Sequence, residues 1–206
     1  MIPIAGVLIS YLAGSIPFAY LAGKARGIDL RQHGSGNLGA TNAIRVLGTP
    51  TGLAVYLADT LKGFLPVLLL PPRTATALPD IWAIAYGIAA IAGHVRPIFL
   101  LGRGGGKGVA TAGGVFLALA WLPTVIAALV FTVVVWARRI VSLGSLAAAV
   151  TLAVAMGFWK GWGSPLSIMS VLIGVFVFWS HRTNIRRLKQ GIEPRLGEPK
   201  PPVAPA

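Results

Sequence analysis

Long uncharged apolar runs, separated by short polar segments, make up most of this chain. The first run covers residues 1–23, and the first basic residue, Lys24, follows it directly. About 20 apolar residues are enough for an α-helix to cross the hydrocarbon core of a bilayer. A cleavable signal peptide has a basic start and a shorter apolar core, so we expect this run to remain in the membrane as a first helix.

Later runs of the same kind predict further membrane helices. One begins at Thr49 and ends at Pro71, a second extends from Asp80 to Leu101, and two more lie at 141–159 and 165–180. The segment 109–137 is 29 residues without a charge. As one helix it would be about 43 Å long and would overshoot the bilayer unless it tilted. Unbroken it gives six membrane helices, and broken at Pro123 it gives seven.

The distribution of basic residues decides between the two counts. The chain has 18 Lys plus Arg and five Asp plus Glu, a net charge of +13. With seven helices, fourteen basic residues fall on one side of the membrane, Arg73 and Lys160 on the other, and Lys62 and Arg96 within it. With six helices, the two sides would hold nine and seven basic residues. The positive-inside rule therefore predicts an all-α integral membrane protein with seven transmembrane helices, the N-terminus outside (periplasmic) and the C-terminus cytoplasmic.

Composition narrows the chemistry further. Hydrophobic residues are 55% of the chain and charged residues 11%, well below the charge content of soluble domains. The basic residues lie between apolar runs, so we expect no nucleic-acid partner. The chain has no Cys and only three His. Thiolate nucleophiles and Cys-bound zinc are excluded, and we expect no metal site.

Two glycine-rich loops on the predicted cytoplasmic side suit an anion. Residues 34–45 combine three Gly with Ser35, Asn37, Thr41, Asn42 and Arg45, so backbone N–H groups and a guanidinium can converge on a phosphate. The spacing Gly34-x-Gly36-x-x-Gly39 matches a dinucleotide fingerprint, but no buried strand precedes it. The second loop has five Gly in residues 102–108 around Lys107. A flexible linker with one interfacial lysine is an equally good interpretation of it.

The third polar segment, 181–193, follows the last apolar run. If the helix continues, His181, Asn184 and Leu188 share one face and Arg182 lies on an adjacent one. A positive-inside anchor would explain the Arg residues, but it would not explain His181 or Asn184.

Charged residues also occur inside the apolar runs. Asp59 and Lys62 are three residues apart, and we expect a structural salt bridge, because ions at membrane depth are unfavourable unless paired. His94 and Arg96 could line the same cavity as the loops or extend toward the headgroups.

Together these features favour group transfer onto a soluble phosphate compound at the inner leaflet. A site without Cys, a metal cluster or a Ser-His-Asp set suits a substrate that is already activated. A phosphate or organophosphate transporter is the alternative, because glycine loops and intramembrane ions also line anion pathways. A transporter should place polar groups in both halves of the bilayer, and here they crowd one end.

Three motifs resemble one bacterial family. Gly-Ser-Gly-Asn-Leu-Gly-Ala-Thr-Asn at 34–42, Gly-Gly-Lys-Gly-Val-Ala-Thr at 105–111 and His-Arg-Thr-Asn-Ile-Arg-Arg-Leu at 181–188 are similar to those of the acyl-phosphate:glycerol-3-phosphate acyltransferases, the PlsY family. The resemblance implies a multi-pass enzyme of the bacterial inner membrane with its active site on the cytoplasmic side. It would move a fatty acyl group from acyl phosphate to the 1-hydroxyl of glycerol 3-phosphate, giving lysophosphatidic acid and phosphate.

The resemblance also implies roles for individual residues. The catalytic set is Ser35, Arg45, Lys107, His181 and Asn184. The expected substrate and phosphate contacts are Gly36, Asn37, Gly39, Thr41, Asn42, Gly105, Gly106, Gly108 and Arg182, and the structural residues are Asp59, Lys62 and Glu193.

We further expect no cofactor, since the acyl donor is already activated, and a monomer in contact with membrane lipid. Residues 1–193 would form a single seven-helix acyltransferase domain. The proline-rich residues 194–206 would form a disordered cytoplasmic tail.

Overall fold

The computed structural model describes residues 3–70 and 79–198, and all regular structure in these ranges is helical. Arg73 and residues 199–206 of the predicted tail lie outside the described residues. The helices are α1 (Pro3–Ser15), α2 (Phe18–Lys24), α3 (Ala40–Leu47), α4 (Thr49–Leu69), α5 (Pro79–Val95), α6 (Val109–Leu119), α7 (Trp121–Arg138), α8 (Val141–Lys160), α9 (Pro165–Ser180) and α10 (Arg182–Lys189), with a 3₁₀ turn at Ile98–Leu100.

Five segments of the described chain are long and apolar enough to cross a membrane. They are Pro3–Lys24, Thr49–Leu69, Ile81–Leu100, Trp121–Arg138 and Val141–Lys160. The pair α9 and α10, bent by 61° at their junction, forms a sixth candidate. The remaining apolar helix, α6, has 11 residues. Its length of about 16 Å is roughly half the thickness of the hydrocarbon core. An all-α membrane protein is confirmed, while helix length alone gives five or six spans.

The long apolar run is broken, but not at Pro123. The helix ends at Leu119, and Ala120 adopts an extended φ of −159° before α7 begins at Trp121. Pro123 lies in the first turn of α7, where its missing N–H costs no helical hydrogen bond. The proline therefore marks the start of a helix and not the break itself.

The first apolar run is also interrupted, which the sequence analysis did not predict. α1 ends at Ser15 and α2 begins at Phe18, with Pro17 between them. The interruption leaves the carbonyl of Ile16 available, and the Lys62 ammonium donates to it at 2.8 Å. A lysine of α4 thus caps a break in the first span.

Small residues let the helices approach closely. A Cβ added at Gly14 of α1 would lie 2.1 Å from the Ala90 carbonyl oxygen of α5, and one at Gly114 of α6 would lie 2.0 Å from the Thr60 carbonyl oxygen of α4. Backbone-to-backbone packing of this kind is how membrane helices associate when lipid offers the same hydrophobicity as the partner helix. It brings the three polar motif segments, which follow α2, α5 and α9, to one end of the bundle.

The chain beyond Glu193 remains in contact with this end of the bundle. The Leu196 amide donates to the Arg139 carbonyl at 2.7 Å, and the Pro194 carbonyl accepts from Arg45 Nη2 at 3.3 Å. These contacts place residues 194–196, which the sequence analysis assigned to the tail, on the folded domain.

Candidate active site

Asn42 shapes the first glycine-rich loop from inside. Its Oδ1 accepts from the Ser35 amide at 2.9 Å, and its Nδ2 donates to the carbonyls of Leu30 at 3.2 Å and His33 at 3.0 Å. The side chain is only 2% exposed. Because the described contacts use both ends of the amide, Asn42 orients the loop around Ser35.

The second half of that segment is a helix and not the loop that the sequence analysis assumed. α3 buries Ala43 and Leu47, which are four residues apart, and carries Arg45 in its last turn. That apolar spacing was the available signal for a short amphipathic helix. The helix matters for function because it fixes the direction of the Arg45 guanidinium.

Lys107 extends from the second loop toward the third motif. Gly108 has φ +82°, a conformation that favours glycine, and α6 begins directly after it. The Lys107 ammonium donates to Oδ1 of Asn184. Two motifs that are 77 residues apart in the chain are therefore joined by a side-chain hydrogen bond.

The third motif begins where the chain bends. His181 and Asn184 are buried, as expected if both face the bundle. His181 Nδ1 lies 2.8 Å from the Val177 carbonyl oxygen. A carbonyl only accepts hydrogen bonds, so Nδ1 carries the proton and Nε2 is left as an acceptor.

Glu193 connects α8 and α10 at the base of the site. It accepts from Arg187 Nε at 2.6 Å, from Ser142 Oγ at 2.7 Å and from Asn184 Nδ2. Burial raises the pKa of Glu193, but these hydrogen bonds outweigh burial and hold its pKa below the usual value. The carboxylate is thus held by three donors, and a structural role for Glu193 stays a prediction.

One cavity of about 130 Å³ receives groups from all three motifs. The predicted site residues in its lining are Ser35, Asn37, Gly39, Thr41, Asn42, Arg45, Asp59, Lys107, Gly108, His181 and Glu193. Residues that the sequence analysis did not assign to the site, among them Tyr56, Phe131, Ser142 and Ser145, complete the lining. These residues belong to no cationic or glycine-rich motif, so only the packing of α4, α7 and α8 identifies them as part of the site.

Four predicted phosphate contacts lie outside this lining. Gly36 is not part of it, and Gly105 and Gly106 line a separate cavity of about 10 Å³. A space of that size holds at most about one water molecule. The Arg182 guanidinium lies 4.7 Å from the centre of the Trp179 ring and donates to the Trp179 carbonyl. The structure thus directs Arg182 along the outside of α9. Asn184 reaches the site through Lys107 and Glu193.

Burial lowers the pKa of two titratable groups of the cavity, Lys107 and His181. The pKa of Lys107 is lowered to about 8, first by burial, with Arg187 and Arg45 adding to the effect against Glu193. The pKa of His181 is lowered to about 4 by burial and by the Lys107 charge. At neutral pH the cavity therefore combines two cations, Arg45 and Lys107, with an uncharged imidazole.

The expected Asp59–Lys62 salt bridge is present beneath the cavity. Lys62 Nζ lies 2.7 Å from Asp59 Oδ1, and both side chains are almost completely buried. His94 Nδ1 lies 3.6 Å from the same oxygen. His94 thus faces the cavity, one of the two positions that the sequence analysis left open.

Comparison with known proteins agrees with this architecture. A family model described as glycerol-3-phosphate acyltransferase matches residues 4–191. A glycerol-3-phosphate acyltransferase of Synechococcus sp. (strain CC9902) is 47% identical over 92% of this chain and 93% of its own length. One of Geotalea daltonii is also 47% identical, over 91% of this chain and 94% of its own length.

Two solved structures share the fold. The crystal structure of PlsY (YgiH), an integral membrane glycerol 3-phosphate acyltransferase, in its glycerol 3-phosphate form has a TM-score of 0.87 and 37% identity, covering 95% of this chain and 96% of that one. The lysophosphatidic acid form has a TM-score of 0.84 and 36% identity, with 95% of both chains covered.

Proposed function

Because the chain belongs to the glycerol-3-phosphate acyltransferase family, we propose that it transfers a fatty acyl group from acyl phosphate to the 1-hydroxyl of glycerol 3-phosphate. The products are lysophosphatidic acid and inorganic phosphate, and the reaction is the first acylation of phospholipid synthesis. One observation supports this function above the others: three distant segments place Ser35, Arg45, Lys107 and His181 around a single cavity.

The charge of the cavity suits two phosphorylated substrates. Arg45 offers a planar donor fork, Lys107 a compact ammonium, and Ser35 a hydroxyl at the mouth of the first loop. In the transition state, negative charge builds on the attacked carbonyl oxygen and on the leaving phosphate. Fixed cations with lowered water access stabilise that charge more than they stabilise the ground state.

The reaction then balances without a covalent enzyme intermediate. The 1-hydroxyl oxygen forms a bond to the acyl carbon, the bond from that carbon to the phosphate oxygen breaks, and the hydroxyl proton passes to a phosphate oxygen. An acyl phosphate is a mixed anhydride with a good leaving group, so the proposal requires neither ATP nor coenzyme A.

His181 is better suited to orient the hydroxyl than to remove its proton. Its pKa of about 4 makes it a weak base, and Nε2 is the ring atom left to accept a hydrogen bond. Its ring is held by the Val177 carbonyl, and no carboxylate in residues 3–70 and 79–198 is hydrogen-bonded to it. A phosphate oxygen of the substrate, with a pKa near 6, is the stronger acceptor.

We place the protein in the bacterial inner membrane as a monomer with seven spans. The short helix α6 would supply one of them, and the N-terminus would lie outside. The clustering of Arg and Lys at the end of the bundle that holds the cavity favours the cytoplasm for the active site. Residues 1–193 would form one domain, to which residues 194–196 are attached.

The test combines donor and reaction in one assay. Purified protein is mixed with labelled glycerol 3-phosphate and either acyl phosphate or acyl coenzyme A. We expect labelled lysophosphatidic acid with acyl phosphate alone. Transport of glycerol 3-phosphate into liposomes without product formation would instead indicate an organophosphate transporter, an alternative that the family relationship does not favour.

A further inference from the structure

We infer that the buried cluster Asp59–Lys62–His94 is a positioning device for Lys107, with the His94 imidazole supporting the glycine loop from below. The inference rests on the proposed function and adds residues that act through Lys107. It starts from the second motif, whose Gly105 and Gly106 lie outside the main cavity. Those glycines need a different explanation from phosphate binding.

The first observation is that Gly106 lies directly against the His94 ring. A Cβ added at residue 106 would lie 2.1 Å from His94 Nε2 and 2.6 Å from its Cε1. The Gly106 amide also donates to the His94 carbonyl at 3.2 Å. Ring and backbone of one histidine thus contact the residue that immediately precedes Lys107.

The second observation is that the imidazole has little freedom to move away. His94 Nδ1 lies 3.6 Å from Asp59 Oδ1, and the side chains of both residues are at most 5% exposed. The same oxygen is 2.7 Å from Lys62 Nζ. Lys62 in turn donates to the Ile16 carbonyl at the break between α1 and α2.

These contacts connect three spans to the loop. An ion pair buried at this depth is costly unless both partners are fixed, so its geometry is held by the packing of α1, α4 and α5. The loop is therefore supported by a rigid group at Gly106, and Lys107 begins its path toward Asn184 from that point. A displacement of about 1 Å in a positioned group such as the Lys107 ammonium can reduce the rate about 100-fold.

The proposal predicts a compensating pair of substitutions. Gly106→Ala should push the loop away from the imidazole, raise the KM for glycerol 3-phosphate and lower kcat/KM by about 100-fold. His94→Ala should remove the support and lower kcat/KM by about 10-fold, a partial loss of positioning. The double variant should be no worse than His94→Ala alone, because the new methyl group then occupies the space of the ring.

Gly105→Ala is the matched control. A Cβ at residue 105 would lie 2.1 Å from the Val95 carbonyl oxygen, a backbone atom that His94→Ala leaves in place. The loss caused by Gly105→Ala should therefore remain when His94→Ala is added. Losses of Gly106→Ala and His94→Ala that multiply in the double variant, or a Gly106→Ala enzyme with wild-type kcat/KM, would overturn the inference.

Melting temperatures in detergent show how far each variant remains folded, and KM shows whether the folded enzyme still positions Lys107. Loss of folded protein lowers kcat but leaves the KM of the remaining enzyme unchanged, so a higher KM in Gly106→Ala and its recovery in the double variant report on Lys107. His94→Gln, which keeps a polar group of similar length, should recover part of the loss seen in His94→Ala. Failure of the wild-type protein to form lysophosphatidic acid would contradict the proposed function. Stabilisation of the same variants by inorganic phosphate would then test the positioning without turnover, and equal stabilisation in all of them would contradict it.

Discussion

Lys107 and His181 show how burial sets chemistry at the scale of single residues. Both face one cavity, and burial is the largest cause of the lowered pKa of each. Lys107 remains mostly charged at neutral pH, whereas His181 is neutral with Nε2 as an acceptor. The same environment therefore makes one residue an electrostatic contact for phosphate and makes the other a poor base.

A pH profile tests the lysine. Since the pKa of Lys107 in the substrate-free enzyme is about 8, the charged form is present below that pH and is lost above it. The ratio kcat/KM reports on the free enzyme, so it should fall about tenfold for each pH unit above 8. In Lys107→Arg the residual activity should lack this alkaline fall, because the guanidinium stays charged.

Lys107→Ala should lower kcat/KM at pH 7 by at least about 100-fold, the usual effect of losing one preorganised charge contact. The exposed Lys24 at the end of α2 provides the control, and Lys24→Ala should match the wild type. Wild-type activity that is constant to pH 9.5 would contradict the assignment of Lys107.

His181→Gln distinguishes orientation from proton transfer. The glutamine amide oxygen can accept a hydrogen bond in place of Nε2, so we expect a loss in kcat of about tenfold if His181 only orients the hydroxyl. A general base contributes about 10² to 10⁴ to the rate, and a loss in that range would return proton transfer to His181. Single-turnover rates with saturating acyl phosphate provide the measurement.

Among the structural elements, the segment after α10 has a larger role than its composition suggests. Glu193 contacts Ser142 of α8 as well as α10, Pro194 contacts Arg45 of α3, and Leu196 contacts the residue after α7. The segment therefore connects α7, α8 and α10 to the two cations of the cavity, to Arg45 directly and to Lys107 through Asn184. Without it, Asn184 Nδ2 loses Glu193 and Arg45 loses the Pro194 carbonyl as hydrogen-bond partners.

Two truncations measure this contribution. A chain that ends after Gly191 loses Glu193 and should lose about 100-fold or more in kcat/KM, because Asn184 and Lys107 are no longer oriented. A chain that ends after Glu198 keeps every contact described above and should match the full chain. Equal activity of the two truncated proteins would show that the segment is dispensable.

The whole molecule concentrates its chemistry at one end of an apolar bundle. Lys107 and His181 line the same cavity, so the segments that carry them lie on the same side of the helices. The opposite end of α8 carries Lys160, followed by a short polar turn. This asymmetry suits an enzyme that takes one substrate from water and the other from the bilayer.

Single cysteines test the topology directly, since the chain has none of its own. Gln32→Cys and Gln190→Cys, both at exposed positions near the motifs, should react with a membrane-impermeant maleimide only in inside-out vesicles. Gly163→Cys, in the turn between α8 and α9, should react only in right-side-out vesicles. Labelling of residues 32 and 190 from opposite sides would exclude the proposed topology.

The sequence by itself determined the membrane class, most helix boundaries and the three motifs, because hydrophobic run length and clustered charge are local properties. It also predicted the Asp59–Lys62 pair, since residues three apart on one helix meet whatever the tertiary structure. It could not place the break at Ala120 or separate Gly39, which lines the cavity, from Gly105 and Gly106, which do not. Those outcomes depend on which helices pack together, and so does the contact of His94 with Gly106. Only the folded bundle brings residues so far apart in the chain within reach of one another.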